Sequence, residues 1–568
     1  MAVKSLESGT GVYSRFVIFI AGLGGLLYGI DVGIIAAALL YLSKTVNLTI
    51  GQTSIIVAAV LGGSMLSSPV AGVFADWVGR KKVMIVSGLM FIASVALIVA
   101  SQGFTTLFLG RLLQGMSGGV IAVVVPLYLA ESLSAEKRGQ GTAVFQFMLT
   151  FGIALAAFIG WFYTRQAETA ITLAAGNSTL IRAAQNHAWR GMFLSVIYPG
   201  LLFFAGAFFL TESPRWLLRR GKKEEAMRAL RRSASEQEAE LALEEMQALV
   251  DKKLGKAASS DSGSLLQRKY VIPFVLACII LAFNQATGIN SILGFLVVIL
   301  KQAGMTATHA TQGDVVVKLL NCAMTLVAVA LVDRKGRTFL LKLGTAGIIL
   351  SLVAGGLVFL HFESQRVDVK SKVQAAQAGN KLLLPVNQNT LGPALDGQTM
   401  TLTVVYSYGD GDLMATALND HPSATLDIEP GPKSANAPLT IKHAYYGPVP
   451  SANTGWLVTL CLAVFIASYS VGPGVVVWLA LSELMPTRIR SIGMGIALLL
   501  NQGVSTLIAA VFLPAVGNYG YYSMFFFWAG CTVIYFITAA FFLPETKGKT
   551  LEEIEMHFER GAPNLAQP

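Results

Sequence analysis

Runs of mostly apolar residues, separated by short polar stretches, dominate the pattern of the chain. A helix rises about 1.5 Å per residue, so roughly 20 apolar residues cross the hydrocarbon core of a bilayer. Twelve runs reach that length, near 15–42, 53–75, 83–102, 104–130, 141–163, 190–211, 270–300, 312–332, 338–360, 455–482, 489–514 and 520–543. The pattern predicts an all-α membrane protein with twelve transmembrane helices.

Clusters of basic residues fall between alternate runs and predict the orientation. They are "GRKK" at 79–82, "EKR" at 136–138, "RWLLRRGKK" at 215–223, "DRKGR" at 333–337 and "RIR" at 488–490. The loops on the other side carry only scattered single basic residues. Since cytoplasmic loops are enriched in Lys and Arg, both termini are expected in the cytoplasm.

Two longer polar segments divide the chain. Residues 212–268 are rich in Ala, Glu, Leu, Lys and Arg at helical spacing and are expected to form a cytoplasmic helical linker. Residues 362–450 carry alternating stretches such as "QTMTLTVVYSYGDGD" and are expected to form a small extracytoplasmic insert of short strands. The predicted domains are therefore 1–211 and 269–568, joined by the linker, with the insert between spans nine and ten.

Composition agrees with a membrane protein and excludes other classes. Of the 568 residues, 54% are hydrophobic and only 13% are charged, against about 25% charged in soluble proteins. The net charge of +10 resides in the clusters that set topology, so no nucleic-acid partner is expected. The four cysteines all lie in apolar segments, so we expect no disulfide, metal site or cofactor.

Two motifs occur twice, once in each half of the chain. "GVFADWVGRKK" at 72–82 ends the second span, and "VALVDRKGRT" at 329–338 ends the eighth. "PLYLAESLSAEKRG" at 126–139 ends the fourth span, and "WLALSELMPTRIRS" at 478–491 ends the tenth. A parallel repeat of six spans is typical of a transporter with its substrate site between the halves.

The charged residues of these motifs predict an ion-pair network at the cytoplasmic ends of the helices. Pairs between an Arg cluster and a Glu on a neighbouring helix would form when that side is closed and break when it opens. The alternative, topology and lipid headgroup contact alone, explains the basic residues but not the duplicated acids. The predicted network comprises Asp76, Arg80, Glu131, Arg138, Glu212, Asp333, Arg334, Arg337, Glu483 and Arg490.

These motifs occur together in the order found in a known family. With "ESPRWLL" at 212–218, "NQATGIN" at 284–290 and "PETKGKTLEEI" at 544–554, the sequence resembles the sugar porter family of the major facilitator superfamily. The resemblance covers nearly all of the chain outside 362–450, and bacterial sugar–proton symporters are similar. It implies an alternating-access carrier with one central monosaccharide site.

The resemblance also implies which residues bind the sugar. Amide side chains supply paired donors and acceptors for hydroxyl groups, and an aromatic ring packs on apolar sugar faces. The implied ligands are Gln146, Gln285, Asn290, Asn321, Trp478 and Asn501. Taken without the family, each amide could equally form an interhelical hydrogen bond, and the tryptophan could be an ordinary packing residue.

Three departures from the family pattern affect the substrate. Asn284 is one methylene shorter than the usual first glutamine of the pair, and Gln502 replaces a tryptophan next to Asn501. The aromatic pair that usually follows "GIN" is half lost, because Gly294 precedes Phe295. These changes alter hydrogen-bond reach, remove a stacking face and reduce the bulk of an outer gate.

A single acid lies well inside a predicted span, away from the motif ends. Asp31 occupies "GGLLYGIDVG" of span one, roughly 16 Å below its outer end by helical rise, and Arg111 lies roughly 10 Å deep in span four. A charge at this depth costs about 2.5–3.5 kcal/mol on insertion scales, so it predicts a function. We expect Asp31 to pair with Arg111 and to accept a co-transported proton. Family members that are symporters have Asp here. The alternative is an ion pair that never titrates.

The sequence thus predicts a proton-coupled importer of monosaccharides, hexose or pentose, that is not an enzyme. A facilitative uniporter with the same fold and a non-transporting sugar sensor are the alternatives. The expected partners are the sugar, protons and membrane lipid, with a monomer as the functional unit. On overall resemblance to bacterial proteins, we expect a multi-pass protein of the cytoplasmic (inner) membrane.

Overall fold

The structure is a computed structural model that describes residues 2–133, 135–233, 235–256, 267–392, 399–419, 424–430, 437–485, 489–545 and 558. Within these residues, twelve helical segments are long and apolar enough to cross a membrane. They form two six-helix halves, the major facilitator arrangement, with the insert between spans nine and ten. The twelve-helix fold predicted from the apolar runs is confirmed.

The first half contains eight helices, because its first and sixth spans are each broken once. They are α1 Ala2–Gly33, α2 Ile35–Val46, α3 Ile50–Val78, α4 Arg80–Ala100, α5 Phe104–Ser132, α6 Ala135–Leu173, α7 Ser178–Ser195 and α8 Ile197–Phe208. Three linker helices follow, α9 Pro214–Arg219, α10 Lys223–Ser233 and α11 Glu236–Lys256. The linker rests on this half: Trp216 Nε1 donates to the Asp76 carbonyl at 2.8 Å.

The second half repeats the broken first span. Its helices are α12 Arg268–Ala286, α13 Ile289–Gln302, α14 Ala307–Lys335, α15 Arg337–Glu363, α18 Ala452–Val471, α19 Pro473–Leu484, α20 Arg490–Tyr519 and α21 Tyr521–Phe541. The insert contributes α16 Lys370–Ala375, α17 Gln388–Leu391 and the strands β1 Val367–Asp368, β2 Gln377–Ala378, β3 Lys381–Pro385, β4 Met400–Ser407, β5 Asp412–Leu418, β6 Thr425–Ile428 and β7 Thr440–Pro448.

Spans five and six are longer than the apolar runs predict. The α6 helix continues ten residues past 163, and α7 begins twelve residues before 190. The charged residues that interrupt the apolar pattern here have partners on other helices. Tyr41 Oη donates to Glu168 Oε1 at 2.7 Å, and Arg182 Nη2 donates to the Thr45 carbonyl at 3.2 Å. These contacts satisfy the polar groups, so the helices continue beyond the apolar runs.

Glycines allow α1 and α6 to pack with their backbones in contact. A Cβ atom added at Gly29 would overlap the Leu149 carbonyl oxygen, and one at Gly25 would overlap that of Phe145. Gly152 on α6 faces the Leu26 carbonyl in the same way. Close approach through small residues is a common means of holding membrane helices together, since lipid provides little hydrophobic driving force.

The substitution Gly29→Ala is expected to lower the melting temperature of the detergent-purified protein. The added methyl group forces α1 away from α6, and overpacking of this kind costs about 1–3 kcal/mol. Gly530→Ala on α21 is the matched control, because nothing lies within 4 Å of an added Cβ there. Both changes bring the same gain in helix propensity, so equal melting temperatures would contradict the packing argument.

The insert folds around its own apolar core and sits on one face of the membrane helices. β1, β7, β4 and β5 form a four-stranded antiparallel sheet in that order, and β2, β3 and β6 form a second. Leu402, Val404 and Leu382 are among its buried residues. We call this side of the molecule the insert face and the opposite side, where the linker lies, the linker face.

The insert bridges both halves. Its two ends continue into α15 and α18 of the second half, whereas the turn between β4 and β5 places Gly411 beside Thr49 at the start of α3 in the first half. Between the insert and the helix ends lies a cavity of 1850 Å³, lined by residues of both halves such as Lys44 and Lys301 and by Tyr406 of β4.

The two halves are in contact from the insert face to mid-membrane. The Leu513 amide on α20 donates to Ser54 Oγ on α3 at 3.0 Å. Deeper, Gln502 Nε2 donates to Ser64 Oγ at 3.2 Å, on the same pair of helices. The described structure is therefore closed towards the insert face.

Candidate functional site

The break in span seven arranges amide side chains of the second half around one point. The α12 helix ends at Ala286, Gly288 takes a left-handed φ of +84°, and α13 begins at Ile289. The break brings Asn290 back over Gln285, so Asn290 Nδ2 donates to Gln285 Oε1 at 2.9 Å and to Ser505 Oγ at 2.8 Å. Discontinuous helices of this kind line the substrate sites of transporters.

The same glutamine connects α12 to α20. Gln285 Nε2 donates to Asn501 Oδ1 and to Asn284 Oδ1, both at 3.3 Å. Asn501 Nδ2 in turn donates to the Leu281 carbonyl at 3.1 Å. Long contacts among buried amides can be exchanged for contacts with hydroxyl groups, because each amide carries two donor hydrogens and an acceptor oxygen.

Asn284 and Asn321 bind neighbouring helices. Asn284 Nδ2 donates to the Pro473 carbonyl at 3.3 Å, and its Oδ1 accepts from Tyr469 Oη at 3.1 Å. Asn321 Oδ1 accepts from Ser470 Oγ at 2.7 Å. Both residues thereby anchor the short connection between α18 and α19, which is the interhelical bonding that the sequence left open for membrane amides.

The remaining predicted ligands differ in how they are held. Gln502 is tied to Ser64 across the halves. Gln146 is half-buried on α6 and makes no side-chain hydrogen bond with the described residues. The side chains of Arg138, Asp333, Trp478, Glu483 and Arg490 lie outside the part of the chain that the structure describes.

Gly294 and Phe295 are consecutive residues of α13 with different neighbours. A Cβ at Gly294 would come within 2.9 Å of Val57 on α3, so the glycine lets α13 approach the other half. Phe295 is fully buried, with its ring centroid 4.6 Å from that of Phe512 on α20. The missing aromatic residue at 294 is thus replaced by a closer helix approach at the closed insert face.

Asp31 and Arg111 are both fully buried, but their predicted ion pair is not formed in this structure. Arg111 Nη1 donates to Gln114 Oε1 at 2.6 Å, and its guanidinium lies 5.5 Å from the centroid of the Phe193 ring. These neighbours on α5 and α7 hold the guanidinium. Neither carboxylate oxygen of Asp31 has a hydrogen-bond partner within 3.5 Å among the described residues, although the charge of Arg111 and the amide of Gln114 act on it from nearby.

The prediction that Asp31 is the only acid well inside a span is wrong. Asp314 is fully buried on α14 and forms an ion pair of 2.8 Å with the equally buried Lys318. The apolar run suggested a span beginning at 312, but Thr306 caps the helix, which starts at Ala307. Asp314 therefore lies two turns inside the helix, where sequence reasoning placed a span edge.

On the linker face, Arg80 is the centre of an ion-pair cluster within the first half. Its Nε and Nη2 donate to the two carboxylate oxygens of Glu131 at 2.7 and 2.9 Å, and Nη2 also reaches Asp76 Oδ1 at 2.6 Å. Glu212 Oε1 accepts from the backbone amides of Arg80 and Lys81, at the start of α4. Breakage of these pairs when this face opens stays a prediction.

The second half contains a matching cap that the motif analysis missed. Glu545 accepts from the backbone amides of Arg337 and Thr338 at 3.1 Å, at the start of α15. Arg337 is half-buried there, and Arg334 is exposed. The signal was present, because "TESPR" after span six and "PETKG" after span twelve occupy equivalent places in the repeat.

Comparison with known proteins shows what this chain is similar to. A family model described as "Sugar (and other) transporter" matches residues 17–380 and 438–558. The glucose transporter GlcP of Staphylococcus epidermidis is 27% identical over 95% of this chain and 97% of its own. The human proton myo-inositol cotransporter is 26% identical over 95% and 81%.

A solved structure shows the same fold. The inward-open xylose transporter XylE of Escherichia coli covers 96% of this chain and 99% of its own, with a TM-score of 0.67 at 20% identity.

Proposed function

Because the chain belongs to the sugar transporter family, we propose that it imports a monosaccharide, hexose or pentose, together with a proton by alternating access. The sugar binds between the two halves, and the halves rock around it. The chain acts as a carrier without enzymatic activity.

The connected amides at the break of span seven are the observation that carries the proposal. Gln285, Asn290 and Asn501 lie on two helices of one half and share hydrogen bonds that a sugar can replace. We infer that Gln146 on α6, whose side chain makes no hydrogen bond with the described residues, supplies the opposite wall from the first half. The names of two relatives, a glucose transporter and a proton myo-inositol cotransporter, give small polyhydroxylated rings as their substrates, in support of this substrate class.

Asp31 supports proton coupling over facilitated diffusion. A fully buried carboxylate without a hydrogen bond is far less costly when protonated, so its charge state responds to whatever opens α1 to water. We propose that deprotonation lets Asp31 bind Arg111 in another state of the cycle, and that protonation releases the pair with sugar bound.

The basic clusters support an orientation with both termini and the linker in the cytoplasm, and the insert outside. We propose the cytoplasmic (inner) membrane as the location and a lipid-embedded monomer as the functional unit. In this orientation, the described structure has its outer side closed.

Purified protein in proteoliposomes tests the proposal. Adding the correct sugar from a panel of hexoses and pentoses is expected to raise the external pH, because each sugar enters with a proton, and an imposed inward proton gradient is expected to drive accumulation. Counterflow without alkalinisation would identify a uniporter instead. Binding by thermal shift without counterflow would identify a sensor and overturn the proposal.

A further inference from the structure

A buried charge pair in span eight has no place in the sugar and proton sites described above. Lys318 Nζ lies 2.8 Å from one carboxylate oxygen of Asp314 and donates to the other at 2.9 Å, one helical turn away on α14. Both side chains are fully buried. Charges inside membrane helices are expensive and are kept for a function, so the pair needs an explanation.

The ammonium group has a third contact, and it crosses to the other half. Lys318 Nζ donates to the Gly33 carbonyl at 3.1 Å. Gly33 ends α1, and the chain turns at Ile34 into α2. The C-terminal end of a helix carries partial negative charge, so a cation is favourable at this carbonyl.

The position of this contact gives it a role in the transport cycle. Since α1 belongs to the first half and α14 to the second, opening of the insert face must separate Lys318 from Gly33. Neighbouring contacts of the same closed face, such as that between Ser54 and Leu513, join neutral groups. A hydrogen bond from a charged donor is stronger than these and is costly to break where water is excluded.

We propose that Lys318 is a latch that holds the insert face closed, with Asp314 positioning its ammonium group. The latch contacts α1 two residues after Asp31, so it connects the closed insert face to the helix that carries the proposed proton site. This inference rests on the alternating access of the proposed function but not on the identity of the sugar or on proton coupling. Lys318 acts by holding the insert face closed and does not touch the substrate.

Thiol labelling of a reporter cysteine in the closed insert face tests the latch. Ser54→Cys is introduced into a chain whose four cysteines are replaced by alanine, since Ser54 is fully buried in the closed face. Labelling by a membrane-impermeant maleimide from the insert side, without sugar, measures how often the face opens. The double variant Asp314→Asn, Lys318→Met removes the latch without leaving an unpaired charge, and it is expected to label about tenfold faster.

The double variant Glu225→Gln, Lys222→Met is the matched control, because it removes an exposed ion pair of 3.0 Å on the linker face. Its labelling rate is expected to stay within about twofold of the parent, since exposed ion pairs contribute little. An unchanged rate in Asp314→Asn, Lys318→Met would overturn the latch. If that variant does not fold, Asp314→Asn, Lys318→Gln carries the same test, because both side chains stay polar while both charges are lost.

The outcome is separable from the proposed function. Labelling needs neither sugar nor a proton gradient, so a failed latch leaves uptake measurements of the parent protein unaffected. Conversely, absence of sugar-driven alkalinisation in the parent would overturn symport while the labelling rates remain interpretable.

Discussion

Asp31→Asn abolishes sugar-driven alkalinisation and gradient-driven accumulation, while sugar counterflow persists; this is the largest effect we expect from any single substitution. Without a titratable group in α1, sugar still exchanges across the membrane, but no proton accompanies it. The change is nearly isosteric and removes a buried carboxylate that has no hydrogen-bond partner among the described residues. The variant is therefore expected to be at least as stable to heat as the parent.

The measurement compares external pH, accumulation ratio and counterflow in proteoliposomes of the parent and the variant. Asp412→Asn is the matched control, because that acid lies in the insert and pairs with Lys442 near the surface. Its loss is expected to change none of the three readouts, since exposed ion pairs contribute little. Alkalinisation that survives in Asp31→Asn would show that the proton binds elsewhere.

Gln285→Ala is expected to weaken sugar binding at least tenfold and to reduce counterflow accordingly. The side chain donates to Asn284 and Asn501 and accepts from Asn290, so its loss removes a ligand and takes one hydrogen bond from each of these three amides. Each hydrogen bond lost to a sugar hydroxyl costs about 0.5–1.5 kcal/mol, and an unsatisfied buried group costs about 1–3 kcal/mol.

Sugar affinity is read from the concentration dependence of the thermal shift, which separates binding from fold stability. Gln140→Ala on the linker-face end of α6 is the control, because that glutamine is exposed and distant from the amides. Unchanged affinity in Gln285→Ala would mean that the amides around span seven only hold helices together, the alternative that their sequence pattern left open.

The fold could be predicted from the sequence because every span needs about 20 mostly apolar residues to cross the lipid bilayer. Apolar length alone predicted the twelve helices, and it failed where polar residues continue a helix with partners elsewhere. Glu168 and Arg182 interrupt the apolar pattern, yet both lie in helices because Tyr41 and the Thr45 carbonyl satisfy them. Asp314 was missed for the same reason, because a hydropathy pattern does not show that Lys318 pairs with it one turn away on the buried face.

The site was less predictable than the fold because residue type does not determine which partner a side chain chooses. Helical rise placed Asp31 and Arg111 within reach of each other, but Gln114 and Phe193 compete for the guanidinium in this state. Similarly, Asn284 is predicted as a sugar ligand, and in this structure its side chain binds Pro473 and Tyr469. Only the relative rotation of the helices decides these contacts.

The insert offers a place from which the transport cycle can be followed by fluorescence. Both its ends are fixed to the second half, while its β4–β5 turn rests beside Thr49 of the first. Any rocking of the halves must change the separation of that turn from α3 in the aqueous phase. A donor and an acceptor fluorophore, one on the turn and one near Thr49, would report the motion of single molecules in real time. The sugar pathway itself would carry no label.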